Sequence, residues 1–438
     1  MHRREFLALP ASLISAAALA RVRQETPADL VLRISEIDWE IAPRRTIKTL
    51  AYNGAIPGPV VRVRAGRPFA VDVRNDYTRD DIVHWHGLHI PSDVDGAIEE
   101  GTPPVPPRSQ RRYTFTPEPS GTRWYHSHGM AHRDLKKGTY TGQAGVMIVE
   151  GPGDPGAYDR EEVIVLKEYE PFFRRTGPLD VEFRAFTING RMAGAGEPIR
   201  VKVGERVLFR IVNASATLHH RMALPAHEFR VVALDGNAVP VPQSVPVLDI
   251  APGERVDAIV EMSRAGVWWL GEVRQAQREG GMAIAIEFAG QSGPPRWIAP
   301  RPFTWDYGIF SATAPERAPL DTLTMAFKAK PDGHTWMING KSYPNTDPIV
   351  VRAGRRYRWI FDNQSADDHP VHLHRHTFEV VRVGDRRMAG IMKDVLNVPA
   401  WKQAEVEVPA SHPGLSLFHC HQQFHMDMGF MAMLRYDS

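Results

Sequence analysis

The sequence predicts an all-β protein that consists of three consecutive domains of the same type. Its 35 Gly and 36 Pro residues lie between short apolar runs, a composition that favours turns and short strands over long helices. A local pattern of Asn-Gly, Gly and Asn also recurs three times. With 438 residues the chain is too long for one ordinary hydrophobic core, which agrees with several domains.

The recurring pattern has a constant internal spacing. In each copy an Asn follows the second Gly by nine residues: Asn53-Gly54 with Gly66 and Asn75, Asn189-Gly190 with Gly204 and Asn213, and Asn339-Gly340 with Gly354 and Asn363. The residues between that Gly and the Asn alternate between apolar and polar, which is the period of a β-strand. We therefore predict domains at 28–151, 152–300 and 315–438, with Pro-rich linkers at 292–302 and 312–319.

The N-terminus has the pattern of an export signal. Arg3-Arg4 precedes Phe6-Leu7, and the mild apolar run 8–20 ends in Ala18-Leu19-Ala20. A twin arginine, a short apolar region and an Ala-x-Ala cleavage pattern predict a signal peptide at 1–20. A membrane anchor is the alternative. The sequence favours it less, because the run is short and contains Pro10. We expect a periplasmic or otherwise exported protein that leaves the cytoplasm by the twin-arginine route.

The overall charge argues against two classes of partner. The chain has 53 Lys and Arg residues against 51 Asp and Glu residues, so nothing in it favours binding to nucleic acid or to an anionic membrane. No other stretch is long and apolar enough to cross a bilayer. We expect no membrane insertion after signal cleavage, and we expect a monomer.

Four His-x-His pairs predict a metal site with several ions. The pairs are His84 with His86, His126 with His128, His372 with His374, and His419 with His421. The first and third pairs start nine residues after Asn75 and Asn363, which is the same position of the repeat. Period-two spacing puts both histidines of a pair on one strand face. One pair alone would be read as an exposed strand face. Clustered imidazoles suit metals such as copper or zinc, but a zinc site uses three or four protein ligands, so eight imidazoles fit a multinuclear centre better.

Cys420 is the only cysteine, and it lies between two of these histidines. A thiolate, the nearby imidazole of His425 and a further imidazole match the ligand set of a mononuclear blue-copper centre. On a strand Cys420 faces away from His419 and His421, so this tripeptide can join two different metal sites. The alternative is a buried strand end that carries His and Cys without a metal.

Four motifs, in order along the chain, resemble those of the three-domain multicopper oxidases, the laccase-like family. They are His84-Trp85-His86-Gly87, Trp124-Tyr125-His126-Ser127-His128, His369-Pro370-Val371-His372-Leu373-His374 and His419-Cys420-His421-Gln422-Gln423-Phe424-His425. The resemblance covers essentially the whole mature chain. It implies three consecutive cupredoxin-like Greek-key β-sandwich domains, of which the second has no copper ligands and acts as a spacer.

The resemblance also implies four copper ions: one type 1, one type 2 and two type 3. It assigns His369, Cys420 and His425 to the type 1 copper, His84 and His372 to the type 2 copper, and His86, His126, His128, His374, His419 and His421 to the type 3 pair. The implied reaction couples four one-electron oxidations of a small reducing substrate to the reduction of O2 to water. Cys420, with His419 and His421 on either side, would carry the electrons between the sites.

Other positions differ from the family pattern or remain open. Asp95 matches an acidic position beside the type 2 copper, with a solvated turn aspartate as the alternative. Met426 stands where many relatives have a second acid, and Asp427 is expected to face the other way on a strand. Phe430 occupies the axial position of the type 1 copper and cannot coordinate, which predicts a relatively high potential. Arg375 stands where such motifs usually have Gly.

The reductant is not defined by the motifs. We expect phenols or aromatic amines, because the long Met- and His-rich insertion that cuprous oxidases in this family often carry is missing. Oxidation of Cu(I), Fe(II) or Mn(II) in copper tolerance is the alternative, favoured by Asp367-Asp368 beside His369. A copper nitrite reductase and a non-enzymatic envelope protein are more remote, since neither needs all these ligands. His219, six residues after Asn213, is expected to be a relic or a structural residue, as is His220.

Overall fold

The computed structural model describes residues 27–152, 157–175, 180–315 and 320–437. The predicted signal peptide, 1–20, lies outside the described residues. Strands account for 51% of the structure and helices for 6%. This confirms the predicted all-β class. None of the described helices has the length and apolar character to cross a membrane.

The first domain consists of two four-stranded sheets with orders β2-β1-β4-β6 and β3-β8-β7-β5. Its strands are β1 Leu30–Ala42, β2 Arg45–Tyr52, β3 Val61–Arg64, β4 Phe69–Asn75, β5 Val83–His86, β6 Ser109–Phe115, β7 Gly121–Ser127 and β8 Ala144–Glu150. The short helix α1, Ser92–Asp95, and 3₁₀ turns at Ile98–Glu100 and Gly138–Tyr140 lie between them. The apolar faces of the two sheets enclose a core that includes Trp85 and Tyr125.

The second domain has a six-stranded sheet, β10-β9-β12-β17-β14-β15, and a five-stranded sheet, β11-β19-β18-β13-β16. Its strands are β9 Arg160–Phe173, β10 Val181–Ile188, β11 Ile199–Val201, β12 Arg206–Asn213, β13 His220–Ala223, β14 Phe229–Leu234, β15 Asn237–Val245, β16 Leu248–Ile250, β17 Arg255–Glu261, β18 Val267–Glu272 and β19 Ala283–Phe288. Helix α2 spans Gln275–Glu279. The arrangement matches that of the third domain strand for strand.

The third domain repeats the same two sheets, β21-β20-β23-β28-β25-β26 and β22-β30-β29-β24-β27. Its strands are β20 Asp321–Ala329, β21 Trp336–Ile338, β22 Ile349–Arg352, β23 Arg356–Asn363, β24 His369–Leu373, β25 Phe378–Val383, β26 Arg386–Lys393, β27 Val395–Val398, β28 Gln403–Pro409, β29 Ser416–Cys420 and β30 Met431–Asp437. Helix α3 spans Gln423–Asp427. A 3₁₀ turn in the linker, Tyr307–Phe310, packs into an apolar core that the second and third domains share.

The Asn of each repeat has one structural role. The side chain of Asn75, Asn213 or Asn363 donates to two or more backbone carbonyl groups and accepts the amide of the residue two positions later. Such side-chain bonds replace the backbone bonds that the chain loses where it leaves a strand. The repeat therefore marks the loops that lead into the histidine strands β5 and β24.

Candidate metal centre

The four strands that carry the His-x-His pairs are neighbours two by two. In the first domain β5 and β7 are antiparallel, with His84 opposite His126. In the third domain β24 and β29 are antiparallel, with His372 opposite His419. Each strand pair thus presents its histidines on a common face. The two faces meet between the first and third domains, since His84 Nε2 lies 3.4 Å from His372 Nε2.

The eight histidines form one buried cluster. Within it, His374 Nε2 and His128 Nε2 lie 3.1 and 3.5 Å from His419 Nε2. Nitrogens of neutral imidazoles at these distances need a proton or a cation between them to attract one another. Sets of three offer ligand atoms within 4.8 Å of one another, among them His84 with His86 and His126, and His128 with His374 and His419. The structure brings together all eight histidines that the sequence predicted.

The orientation of the rings fits bound copper. His84 Nδ1 donates to the carbonyl of Asp95, His372 Nδ1 to that of Asp394, and His419 Nδ1 to that of Cys420. The other nitrogen of each ring faces the cluster. His126 Nε2, His86 Nδ1 and both nitrogens of His421 are buried without a hydrogen-bond partner. Rings that are fixed through one nitrogen and unsatisfied at the other are arranged as metal ligands.

A second, smaller group lies beside the cluster. Cys420 Sγ lies 3.7 Å from His369 Nδ1 and 3.6 Å from His425 Nδ1, and the two imidazole nitrogens are 3.3 Å apart. All three side chains are buried. Trp336 and Phe430 form the apolar wall, with ring centroids 4.8 Å from that of His369. The donor set, one thiol and two imidazoles in an apolar pocket, fits a mononuclear copper site.

Burial changes the acid–base behaviour of both groups. It lowers the pKa of His374 from 6.5 to about 4 and that of His421 to about 3, and the nearby His84 adds to both shifts. Burial also lowers the pKa of His425 to about 3 and raises the pKa of the Cys420 thiol. The imidazoles of His374, His421 and His425 are therefore neutral, as metal binding requires, whereas Cys420 needs a cation beside it to become a thiolate.

Asp95 lies against the cluster rather than in solvent. It is fully buried, and its Oδ2 accepts the Nδ1 proton of His374 at 2.8 Å and lies 3.2 Å from His84 Nδ1. Burial raises the pKa of Asp95, but His84 and His374 outweigh it and hold the pKa below its usual value. The burial rules out a solvated turn aspartate, the alternative left open by the sequence.

Glu100 is a second buried acid that the sequence did not indicate. Its Oε1 accepts the amide of Leu417 at 2.5 Å and lies 3.3 Å from His374 Nδ1. Burial and the neighbouring Asp95 raise the pKa of Glu100 well above its usual value, so Glu100 is the protonated member of the pair. A Glu five residues after Asp95 in a Gly- and Pro-rich loop carries no local signal of burial.

Asp394 is the third acid of the site and links all three domains. Its Oδ1 lies 3.1 Å from His86 Nε2, and its backbone carbonyl holds His372. Arg255 donates to both carboxylate oxygens, at 2.5 and 2.6 Å, and Arg123 lies 3.4 Å away. These side chains are buried. Because Asp394 engages Nε2 of His86, it leaves Nδ1 of that ring free for a metal.

The second domain is more than a spacer. Its Arg255, at the start of β17, holds Asp394 of the third domain, and its Asp235 accepts the amides of Asp394 and Val395 and pairs with Lys393 at 2.9 Å. The one sequence signal was a charged pair, Lys393-Asp394, where Lys393 is the last residue of β26 and Asp394 follows it. The prediction that this domain supplies no copper ligand is unaffected, since these groups act on the histidines through Asp394.

The residues after Cys420 form a helix, so the expectation of a strand was wrong. Helix α3 brings His425 back to the sulfur of Cys420. Asp427 ends this helix and accepts the amides of Ala131 and His132 and the side chain of Gln423. Burial raises the pKa of Asp427 to about 7. Met426 packs among apolar side chains. The position where many relatives have a second acid therefore lies in an apolar environment here.

The structural counterpart of His369 in the second domain is His220, not His219. His220 is the first residue of β13, and His369 is the first residue of β24. Each forms a 2.8 Å hydrogen bond with a serine, His220 with Ser215 and His369 with Ser365. The loop between Asn213 and His220 is one residue longer than the loop between Asn363 and His369, so the spacing of six residues pointed to His219. His220 Nδ1 lies 3.2 Å from Glu272, so the residue is held as part of a buried ion network.

A His220→Gln variant should lose stability in a pH-dependent way. Despite burial, hydrogen bonds and charges from Glu168 and Glu272 raise the pKa of His220 above 6.5 and lower those of the two acids. The network therefore stabilises the folded protein most in a pH window. The window extends from about pH 4.5, below which the acids are protonated on unfolding, up to the pKa of His in the unfolded chain. Denaturant unfolding should show a loss of about 3 kcal/mol at pH 5.5 that shrinks as pH rises through the folded pKa of His220. An equal loss at pH 5.5 and 9 would contradict this interpretation.

The comparisons with known proteins agree with this geometry. Three multicopper oxidase family models match residues 33–154, 164–287 and 313–438, which together cover most of the chain. The chain therefore belongs to the multicopper oxidase family. Members of this family are oxidoreductases that carry four copper ions and act on O2 and a reducing substrate.

The related proteins are named for different activities. The chain is 29% identical to multicopper oxidase MmcO of Mycobacterium tuberculosis, over 89% of this chain and 83% of that protein. It is 24% identical to laccase-3 of Thanatephorus cucumeris, with 98% and 93% covered. The structure of Fet3p, a multicopper oxidase that functions in iron import, shares the fold at a TM-score of 0.79 and 19% identity, with 93% and 90% covered. The substrate class does not follow from these matches.

Proposed function

We propose that this protein is an exported, laccase-like multicopper oxidase, with phenols or aromatic amines as its reducing substrates. The observation that carries the proposal is the pairing of β24 with β29, which puts a mononuclear donor set and half of a histidine cluster on one pair of strands. The proposed ligands are those that the motifs imply. They are His369, Cys420 and His425 for type 1 copper, His84 and His372 for type 2 copper, and His86, His126, His128, His374, His419 and His421 for the type 3 pair.

Bound copper would supply one-electron redox chemistry at both sites. The chain provides the connection, because the backbone from Cys420 continues directly into His419 and His421. It also provides protons: reducing one O2 to two waters consumes four electrons and four protons. Glu100 holds a proton beside Asp95, and Asp95 contacts His374 and His84 at the cluster. We propose that Glu100 supplies the proton and that Asp95 relays it to the cluster.

Three observations favour organic reductants over metal ions. Asp368, beside His369, accepts the amide of Ala400 and the side chain of Asn397, so both its oxygens are already used within the protein. The methionines near the type 1 group are core residues: Met426 and Met431 are buried, and Met433 packs against the same cluster. Within the described residues, the walls around His425 and His369 include the aromatic rings of Trp336 and Phe430.

Phe430 supports a type 1 site without an axial ligand. Its side chain is fully buried against His369, and its backbone carbonyl accepts the amide of Cys420 at 3.2 Å. A phenyl ring cannot donate electrons to copper as a thioether does. We therefore propose a relatively high potential for this copper, since Cu(II) loses more than Cu(I) when the axial ligand is missing.

Oxygen uptake by the copper-loaded protein tests the substrate class. Steady-state uptake should be compared for phenols, aromatic amines, Cu(I), Fe(II) and Mn(II), with copper-free protein as the control. We expect the highest kcat/KM for a phenol or an aromatic amine. A clear preference for one of the metal ions would support the alternative, a metal-ion oxidase, and copper-dependent reduction of nitrite without oxygen uptake would support a nitrite reductase.

Replacing Asp95 with Asn should slow oxygen reduction by about 100-fold, the lower range for loss of a group that transfers protons. The reduction of the type 1 copper by substrate without oxygen should keep its rate, because Asp95 contacts none of His369, Cys420 and His425. Stopped-flow absorption with and without O2 separates the two steps. Asp93→Asn is the matched control, since Asp93 lies exposed on the same helix. Equal oxygen-dependent rates for both variants would contradict the role of Asp95.

A further inference from the structure

Arg375 has an unusual backbone conformation directly after a proposed copper ligand. It follows His374, its φ is +62°, and its side chain is buried. Few residues other than Gly adopt this left-handed conformation, because Cβ then approaches the backbone too closely. A buried arginine in a position suited to glycine indicates that the side chain has a use that compensates for the strain.

The guanidinium group of Arg375 makes four hydrogen bonds within the protein. Its Nε donates to the carbonyl of Ile90, a residue of the first domain, at 2.7 Å. Its two terminal nitrogens donate to the carbonyls of Leu415 and Pro413, at 2.7 and 2.9 Å, and to the hydroxyl of Ser416 at 3.0 Å. The planar fork of arginine suits acceptors that lie in several directions, as lysine does not. One side chain therefore joins two domains.

Each of these acceptors leads directly to the metal centre. Ile90 precedes helix α1, which ends at Asp95. Ser416 is the first residue of β29, which carries His419 and Cys420. The loop lies close against the guanidinium: a Cβ on Gly414 would be 3.2 Å from the Nη1 of Arg375. Arg375 thus fixes, relative to each other, three segments that supply or support cluster ligands: the turn after β24 that contains His374, the segment before Asp95, and the entry to β29.

We propose that Arg375 is a positioning residue for the type 2 and type 3 ligands, which it holds in register across the boundary between the first and third domains. The inference rests on the proposed copper assignment. All type 1 ligands come from the third domain, whereas the other ligands come from both. Loss of Arg375 should therefore affect the interdomain site and spare the type 1 site.

The test is the copper spectrum of the full-length Arg375→Gly variant. Glycine accepts the backbone conformation, so the change removes the hydrogen bonds without adding strain. We expect an unchanged blue type 1 band and a 10- to 100-fold weaker affinity for copper at the type 2 and type 3 sites, the usual effect of losing an outer contact of a metal ligand. Absorption spectroscopy measures the type 1 and type 3 bands, electron paramagnetic resonance the type 2 signal, and copper titration the affinities. Equal weakening of the type 1 band would indicate a general structural role and overturn the proposal, and so would normal type 2 and type 3 spectra.

Two further variants and one added ion sharpen the result. Arg44→Gly is the matched control, since Arg44 has a φ of +63° and is exposed on a hairpin, and it should leave all copper signals unchanged. Arg375→Lys should remain impaired, because one ammonium group cannot reach Ile90 and Pro413 together. Millimolar guanidinium should restore the type 2 and type 3 signals of Arg375→Gly and leave the parent protein unchanged. No restoration, together with full function of the Lys variant, would contradict the role of the fork.

Hydrogen exchange gives a readout that needs no copper. In the copper-free full-length chain, Arg375→Gly should exchange faster at 88–91 and 413–417 than the parent, while β20 and β23 stay unchanged. Unchanged exchange in both segments would overturn the proposal. Should the parent protein itself bind no type 2 or type 3 copper, the proposed function fails instead, so the two failures are distinguishable.

Discussion

Replacing Cys420 with serine is expected to abolish the blue absorption and to reduce oxidase turnover to the level of copper-free protein. The blue band requires a thiolate bound to copper, and Cys420 Sγ is the only sulfur that faces both His369 and His425 among the described residues. Serine keeps the size of the side chain but cannot supply the thiolate. Absorption spectroscopy and steady-state oxygen uptake check the two losses.

The same variant should keep its type 2 and type 3 copper. The cluster histidines are held by Asp95, by Asp394 and by backbone carbonyls, and none of them depends on the sulfur. Their signals are therefore the internal control for folding. If Cys420→Ser retained a strong blue band and turnover, the assignment of this residue to the type 1 copper would be wrong.

Replacing Asp394 with alanine is expected to destabilise the protein by about 3–5 kcal/mol and to remove copper from the cluster. The change removes the carboxylate that Arg255 binds through two hydrogen bonds and that lies 3.4 Å from Arg123, and breaking a buried ion pair from one side carries this cost. It also frees the ring of His86, whose Nε2 is held by the carboxylate. Denaturant unfolding of the copper-free chain and copper titration measure the two effects separately.

The exposed Asp385→Ala is the control for this variant, because it removes the same charge from the hairpin that contains β26. It should change stability by less than about 0.5 kcal/mol. Asp394→Asn should fall between the two, since the amide keeps the shape of the group and loses its charge. A stable Asp394→Ala variant with a full complement of copper would show that the contact between the second domain and the cluster has no function.

The strand that contains Cys420 could be predicted because it follows a local rule. Alternation along a strand places His419 and His421 on one face and Cys420 on the other, and the structure shows this arrangement. The three-domain order followed equally from the spacing of Asn75, Asn213 and Asn363. Both signals are carried by a few neighbouring residues, so tertiary contacts did not need to be known.

What the sequence did not reveal depends on distant contacts. The segment after His421 forms helix α3, which brings His425 back to Cys420. The residues between Cys420 and His425 do not favour a helix strongly, so this helix was not predicted. The buried partners Glu100, Asp394 and Arg255 meet only after three domains have packed. The single inserted residue before His220 cannot be placed without the structure, since the spacing of six residues after Asn213 points to His219 instead.

Copper content of the purified full-length protein, combined with its spectra, is the decisive measurement for the copper cluster. We expect about four copper ions per chain, with a blue type 1 band, a type 2 resonance and a type 3 pair. One or two ions per chain without type 3 signals, or no copper at all after loading, would contradict a cluster shared by the first and third domains.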